Sequence, residues 1–313
     1  MPLICCGLNG VDEATALAEL AVVSDLYPFV EWGFLYSPDQ QGTPGRYPSV
    51  GRIRRAFKEL PRYVRTALHL SGPAVEQLLQ GENVVCGLAE QVRARNGRVQ
   101  LNLRTARANV DPDALRRFVV ARPEIFFVTQ YSDGNANVMQ ALAGVANHAI
   151  VFDSSADRDA PPQSWPRAPE SMRCGYAGGL GVHNLEVELP RIYHAAGTAE
   201  FWIDIEGRLR DQNDRFSMSL ARRCLEIVSA QASKRMEMPG PRPLRRRCEP
   251  IELIDSGLMH DDAARELEAM LRLLIQATRD VVDPAIVDVR RKAENLLLRK
   301  GMTPARSQPS RTH

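Results

Sequence analysis

The sequence lacks any strong imbalance of charge. Its 313 residues carry 40 Lys and Arg against 38 Asp and Glu, which leaves a formal net charge of only +2. Without a basic excess, the composition gives no reason to expect binding to nucleic acid or to a membrane surface. A local run of arginines at 245–247 has no aromatic residues between its members, so we interpret it as part of a solvated linker rather than as a nucleic-acid patch.

Long apolar runs, a basic amino-terminal region and paired cysteines are also missing. No stretch approaches the ~20 apolar residues that a membrane helix needs, and the first residues, MPLICCGLNG, include no basic region. The six cysteines show neither the spacing of a zinc site nor that of a small disulfide framework. These absences predict a soluble, cytoplasmic protein with reduced thiols.

Short apolar segments alternate with helical patterns through residues 1–232. We expect strands at 3–6, 32–36, 66–70, 99–103, 125–130, 149–153, from 174 onward, and at 201–205. This alternation predicts an α/β protein with a (β/α)8 TIM barrel, whose active site lies at the carboxyl ends of the strands. A doubly wound open sheet is the alternative, disfavoured because no Gly-x-Gly-x-x-Gly follows the first strand.

The strand and helix alternation stops after residue 232. Residues 233–250 are rich in proline and charge and predict a linker, 251–302 predict a helical extension, and 303–313 predict a disordered tail. Two uses of the extension stay open: its helices could cover the barrel, or they could join copies of the chain into a homo-oligomer.

The segment 174–210 is the most informative part of the chain. Gly178 and Gly179 follow the seventh strand and precede a helix, an arrangement whose backbone N–H groups can cradle an anion. In the eighth strand the two-residue period places Asp204 and Glu206 on one face, where the strand ends. We therefore expect an anion-binding turn beside carboxylates.

Six short motifs lie in a fixed order along the predicted strands. They are Cys6-Gly7-Leu8, Arg46-Tyr47, Val99-Gln100-Leu101, Asp153, Ala177-Gly178-Gly179-Leu180 with Asn184, and Ile203-Asp204. Together, over residues 3 to about 230, they resemble the phosphoribosylanthranilate isomerase family. The resemblance implies an enzyme of the tryptophan pathway type, which performs an aldose–ketose (Amadori-type) isomerisation with no metal and no organic cofactor.

The resemblance also implies roles for individual residues. Cys6 would be the general base that removes a proton from the sugar, and Asp153 the general acid that opens its ring. Arg46 would pair with a substrate carboxylate, for which a guanidinium is well shaped. Gly178 and Gly179 would donate backbone N–H groups to a phosphate.

Three departures from the family pattern predict a changed substrate. Ile4 stands where the family has a lysine, and the loop after strand six, SSADRDAPPQSWP, replaces a glycine-rich segment. Glu206, Gly207 and Arg208 replace the small serines beside the phosphate. A carboxylate next to a phosphate costs about 1 kcal/mol per charge pair in water and several times more in a partly buried site. We expect a sugar-derived small molecule, phosphorylated or carboxylated, that differs from the family's substrate.

The candidate site contains residues of two kinds. The catalytic pair is Cys6 and Asp153, and the substrate-binding set is Arg46, Asn102, Gly178, Gly179, Asp204, Glu206, Gly207 and Arg208. Asn102 could instead fill a polar layer of the barrel, and His69 is interpreted as a core histidine. Two alternatives stay open: a metal-assisted enzyme in which Asp153, Asp204 and Glu206 bind a divalent ion, and a non-catalytic barrel that serves as a binding or assembly module.

Overall fold

The structure is a computed structural model that describes residues 3–42, 45–103, 110–154, 160–169 and 172–236, together with Arg291 and Glu294. Of the predicted helical extension, only these two residues are described, and the predicted tail lies outside the described residues. The last long helix continues to Met236, so the segment predicted as a linker begins with helical residues at 233–236.

Eight parallel strands close into a barrel in sequence order, with the first strand paired to the last. They are β1 (Leu3–Asn9), β2 (Val30–Tyr36), β3 (Arg65–Leu70), β4 (Arg98–Leu101), β5 (Phe126–Tyr131), β6 (His148–Asp153), β7 (Cys174–Ala177) and β8 (Phe201–Ile205). The closed barrel confirms the (β/α)8 prediction and excludes the doubly wound open sheet.

Helices alternate with these strands. They are α1 (Leu17–Leu26), α2 (Val50–Glu59), α3 (Ala74–Gln80), α4 (Asn83–Arg93), α5 (Pro112–Val120), α6 (Ala136–Ala141), α7 (Leu185–Ala196) and α8 (Met218–Met236). The sequence prediction missed α4, which follows α3 after a turn at Gly81. Its buried residues, which include Val85, Leu88 and Val92, recur at helical spacing.

Asp12 has a different role from the one that the sequence suggests. An aspartate just before a helical pattern suggests a helix cap, but α1 begins only at Leu17. The Asp12 carboxylate instead accepts hydrogen bonds from the Thr15 backbone N–H at 3.1 Å and the Phe216 backbone N–H at 2.6 Å. It therefore ties the loop after β1 to the segment before α8.

Successive strand residues point alternately to the helix layer and to the barrel interior. Cys6 and Leu8 belong to the large apolar cluster that includes the helix residue Leu20. A separate small cluster fills the interior; its buried members are Cys5, Val128, Ala149, Val151 and Trp202. Glycine is required at Gly175 because the indole of Trp202 occupies the space of a side chain there.

A buried ion network lies inside the barrel beside this small cluster. Arg98 donates from Nε to Glu31 Oε1 at 2.6 Å and from Nη2 to Asp204 Oδ1 at 3.2 Å. Trp202 donates from Nε1 to Asp204 Oδ2 at 2.9 Å. Burial raises the pKa of Glu31, although Arg98 acts in the opposite direction.

Candidate active site

A cavity of about 320 Å³ opens at the carboxyl ends of the strands. Its size lies at the lower end of the range for small-molecule sites. The predicted site residues that line it are Arg46, Asn102, Asp153, Gly178, Gly179, Asp204, Glu206, Gly207 and Arg208. The sequence therefore identified much of the cavity wall, with Cys6 as the exception.

Cys6 does not line the cavity, because β1 turns its side chain toward the helices. It is fully buried in the cluster between the strands and the helices. Burial raises the pKa of the Cys6 thiol well above its usual range, and Cys224 and Cys5 add to the rise. The structure therefore does not bring Cys6 and Asp153 together, and it gives Cys6 no environment that would stabilise a thiolate.

Asp153, the last residue of β6, is held by a neighbour on β5. Gln130 donates from Nε2 to Asp153 Oδ2 at 2.5 Å. The backbone carbonyl of Gln130 in turn accepts a hydrogen bond from Asn135 Nδ2 at 2.7 Å. The sequence analysis missed Gln130, although a polar residue near the end of the apolar strand FFVTQY is a usable signal.

Glu206 and Arg46 form an ion pair at the cavity rim. Arg46 Nη1 lies 3.0 Å from Glu206 Oε1, and the two side chains keep 34% and 33% of their surface exposed. A second carboxylate, Asp214, lies 3.4 Å from Arg46 Nη2. Burial raises the pKa of Glu206 although Arg46 lowers it. Arg46, predicted to bind a substrate carboxylate, therefore pairs with carboxylates of its own chain.

Arg210 lies behind this pair. Its Nη1 donates to the Gly10 carbonyl at 2.6 Å, and its Nε lies 3.2 Å from Asp214 Oδ1. Asp214 therefore bridges Arg46 and Arg210, so the rim contains a chain of alternating charges.

Polar side chains from β3 and β4 continue the wall. Gln100 donates from Nε2 to Asn102 Oδ1 at 3.1 Å, and Asn102 donates from Nδ2 to Ser71 Oγ at 2.9 Å. His69 is 1% exposed, and its Nε2 has no hydrogen-bond partner in the described part of the chain. Burial lowers the pKa of His69 to about 4, so its imidazole is neutral near pH 7. His69, interpreted from sequence as a core residue, is buried and also lines the cavity.

The glycine turn after β7 is packed against other parts of the chain. Gly179 has a φ of +62°, and an added Cβ would lie 2.5 Å from the Ala160 carbonyl carbon. Asn184 accepts from the Gly181 backbone N–H at 3.0 Å and donates from Nδ2 to the Gly179 carbonyl at 2.8 Å. Close packing and left-handed backbone therefore account for the glycine at 179 without a bound anion.

The three carboxylates of the metal-assisted alternative do not form a metal-binding group. Among the described residues, no cluster of three or more His, Cys, Asp and Glu side chains is placed to hold a metal ion. Both oxygens of Asp204 accept hydrogen bonds from the neighbours beneath it, Arg98 and Trp202.

None of the described helices combines the length and apolar character that crossing a membrane requires.

Comparisons with known proteins give a likeness in solved structures alone. No protein-family model matches the chain, and no curated protein matches it. A phosphoribosyl anthranilate isomerase from Thermotoga maritima is 16% identical, covers 72% of this chain and 99% of its own, and has a TM-score of 0.47. The enzyme of the same name from Thermus thermophilus is 17% identical, with coverages of 74% and 100% and a TM-score of 0.44.

A structure with a different title also matches. The monooxygenase RslO1 from Streptomyces bottropensis is 13% identical, covers 94% of this chain and 89% of its own, and has a TM-score of 0.35. At such identities the likeness concerns the barrel fold. It does not assign a reaction.

Proposed function

We propose that this barrel is an acid–base isomerase that interconverts the aldose and ketose forms of a sugar-derived small molecule. The observation that carries the proposal is the position of two carboxylates. Asp153 ends β6 and Glu206 follows β8, and both line the same cavity at the carboxyl ends of the strands. Strand-end acids in this position are typical of barrel active sites.

The chemistry requires two kinds of proton transfer. Asp153 removes the proton from the carbon beside the carbonyl and returns it to the former carbonyl carbon. Glu206, an anion in its ion pair with Arg46, accepts the proton of the neighbouring hydroxyl and passes it to the carbonyl oxygen, so the enzyme ends unchanged. Burial raises the pKa of Glu206, which suits a carboxylate that must take up a proton and release it again. Gln130 fixes the Asp153 carboxylate through their 2.5 Å hydrogen bond.

This assignment differs from the one that the family resemblance implies. There, Cys6 would be the general base, but its side chain is fully buried outside the cavity. Asp153 keeps a proton-transfer role and becomes the base, while Glu206 carries the proton between the two oxygens. The proposal therefore keeps the reaction class and changes one of the two residues that perform it.

Deuterium exchange provides the test. The purified protein is incubated in D2O with a panel of aldoses and ketoses, and solvent deuterium at the two reacting carbons is followed by NMR. We expect exchange with at least one sugar, and we expect Asp153→Asn and Glu206→Gln each to slow it by at least about 100-fold. The exposed acid Asp113, changed to Asn, is the matched control and should keep the wild-type rate.

Two outcomes would count against the proposal. Binding of sugars without any exchange would favour the non-catalytic binding module, and wild-type rates in both active-site variants would remove the carboxylates from the mechanism. Complementation of a tryptophan auxotroph that lacks the isomerase tests the family's own reaction. Growth would show that the substrate is unchanged.

A further inference from the structure

The cavity wall favours a particular class of ligand end group. We propose that the site binds an uncharged polyhydroxy segment and rejects a phosphorylated one, with Glu206 as the residue that sets this preference. The identification of the polyhydroxy ligand as a sugar derivative rests on the proposed function. The preference between neutral and phosphorylated ligands follows from the cavity itself.

The charges of the wall disfavour a phosphate. The described lining residues include three carboxylates, Asp153, Asp204 and Glu206, and two guanidinium groups, Arg46 and Arg208. Arg46 is already paired with Glu206 and lies near Asp214. A phosphate dianion that approached Arg46 would therefore meet the Glu206 carboxylate as well, in a setting screened less than bulk water.

Part of the turn that could cradle an anion is already engaged with the protein. The backbone N–H of Gly181 donates a hydrogen bond to Asn184 Oδ1, and the backbone of Ala160 packs against Gly179. Anion sites at such turns depend on backbone N–H groups that point at the ligand. The Gly181 N–H is therefore not available to offset the repulsion of a phosphate by Glu206.

The deeper wall is lined by amides, which suit hydroxyl groups. Asn9, Gln100 and Gln130 are each more than nine-tenths buried. Their side-chain carbonyl oxygens have no hydrogen-bond partner among the described residues. Gln100 donates an amide N–H to Asn102, and Gln130 donates one to Asp153. These hydrogen bonds fix the orientation of each amide and therefore the position of its oxygen. Such acceptors call for a ligand that donates hydrogen bonds, and a hydroxyl can donate and accept.

A positively charged donor is disfavoured by the same surroundings. His69 lines the cavity next to Gln100, its partner across the β3–β4 ladder. Burial keeps the His69 imidazole neutral despite the nearby Asp204 and Asp153, which favour its charged form. An ammonium at this depth would also be desolvated. Two carboxylates that could pair with it are already engaged, Asp204 with Arg98 and Trp202 and Glu206 with Arg46. Hydroxyl groups remain as the donors that the wall can accept.

Binding of inert polyols tests the inference without any reaction. Ribitol, D-arabinitol and xylitol, the 5-phosphate of each, and 1-amino-1-deoxyribitol are titrated into the full-length protein near neutral pH, and each Kd is measured by calorimetry or ligand-observed NMR. None of these compounds has a carbonyl group, so none can be isomerised. We expect at least one free pentitol to bind about tenfold or more tightly than its phosphate, a difference of about 1.4 kcal/mol.

Substitutions then identify the residue responsible. Glu206→Gln should tighten binding of the phosphate about tenfold while changing the pentitol less, because it removes the repelling charge. Glu82→Gln, at an exposed position before α4, is the matched control and should leave both values unchanged. Arg46→Gln should act in the opposite direction and widen the preference for the free pentitol.

Three results would overturn the inference. They are tighter binding of a phosphate than of its pentitol by the wild type, tighter binding of the amine than of ribitol, and no detectable binding of any compound in the millimolar range. An unchanged preference in both Glu206→Gln and Arg46→Gln would remove Glu206 from its role. Pentitol binding with no deuterium exchange on any sugar would leave this inference standing while the proposed isomerase function fails.

Discussion

Arg98 on β4 and Asp204 on β8 meet across the barrel interior, with Nη2 of the guanidinium 3.2 Å from Oδ1 of the carboxylate. Asp204 also lines the cavity at the carboxyl ends of the strands, so this contact joins the cavity floor to the buried network below. Arg98 pairs at the same time with Glu31 at 2.6 Å. One guanidinium therefore compensates two carboxylates that burial removes from water.

Replacing Arg98 should be strongly destabilising. In Arg98→Leu, Glu31 and Asp204 remain buried without their cation, and we expect the free energy of unfolding to fall by about 3–5 kcal/mol. Urea unfolding of the purified variant measures the loss. Arg55→Leu is the matched control, because it removes an exposed Arg–Glu pair on α2 and should cost less than about 1 kcal/mol. Equal losses in the two variants would contradict the structural role of Arg98.

The contrast between β1 and β8 shows what the sequence can and cannot predict. In β8 the two-residue period correctly places Trp202 and Asp204 on the same face, toward the interior. In β1 the register shifts between Leu3 and Cys5, so that Cys5 pairs with Trp202 and Cys6 with Ile203. Without that bulge, Cys6 would pair with Asp204 and would face the interior.

A shift of one residue reverses every side chain of a strand. Neither composition nor period in LICCGLN reveals the bulge, which depends on how the strand closes the barrel. The sequence also does not show which charged residues pair across the barrel. Arg98 lies 67 positions from Glu31 and 106 from Asp204, so their pairing requires the closed barrel. The alternation of strands and helices, by contrast, is a local signal, and it predicted the fold.

The burial of Cys6 predicts the outcome of its replacement. Cys6→Ala removes a sulfur atom from the apolar layer between strands and helices, and we expect a loss of stability of about 1 kcal/mol. Deuterium exchange on the preferred sugar should stay within about twofold of wild type, unlike the loss of at least about 100-fold expected for Asp153→Asn. A folded Cys6→Ala protein that loses activity as Asp153→Asn does would restore Cys6 as the general base.

Gly179 should be far less tolerant of alanine than a glycine of similar conformation elsewhere. Gly81 has a φ of +79° and open space where a Cβ would stand, whereas at Gly179, with a φ of +62°, the Cβ would press on Ala160. Gly81→Ala should cost about 1–2 kcal/mol from left-handed backbone alone. Gly179→Ala should cost about 1–3 kcal/mol more, because Ala160 must move. Thermal and urea unfolding measure the stability of the two variants. Equal losses of unfolding free energy would show that Ala160 moves away from the new methyl group at no cost.

The burial of His148 predicts that the protein loses stability as the pH falls. It is 4% exposed at the start of β6, its Nε2 lies 2.9 Å from Thr129 Oγ1, and burial lowers its pKa to about 4. In the unfolded chain its pKa is about 6.5. The unfolded state therefore binds more protons between these values, so stability decreases as the pH falls through this window. From pH 7 to pH 5, His148 should remove about 2 kcal/mol.

The variant His148→Gln isolates this contribution. The amide can keep a hydrogen bond with Thr129 but does not titrate, so the decrease in unfolding free energy from pH 7 to pH 5 should be about 2 kcal/mol smaller than in wild type. His69, whose pKa burial also lowers to about 4, acts with the same sign, while the raised pKa values of Glu31 and Glu206 act oppositely. These groups are present in both proteins, so their effects cancel in the comparison. Identical pH dependence in the two proteins would show that His148 is charged in the folded barrel at pH 5, against the effect of its burial.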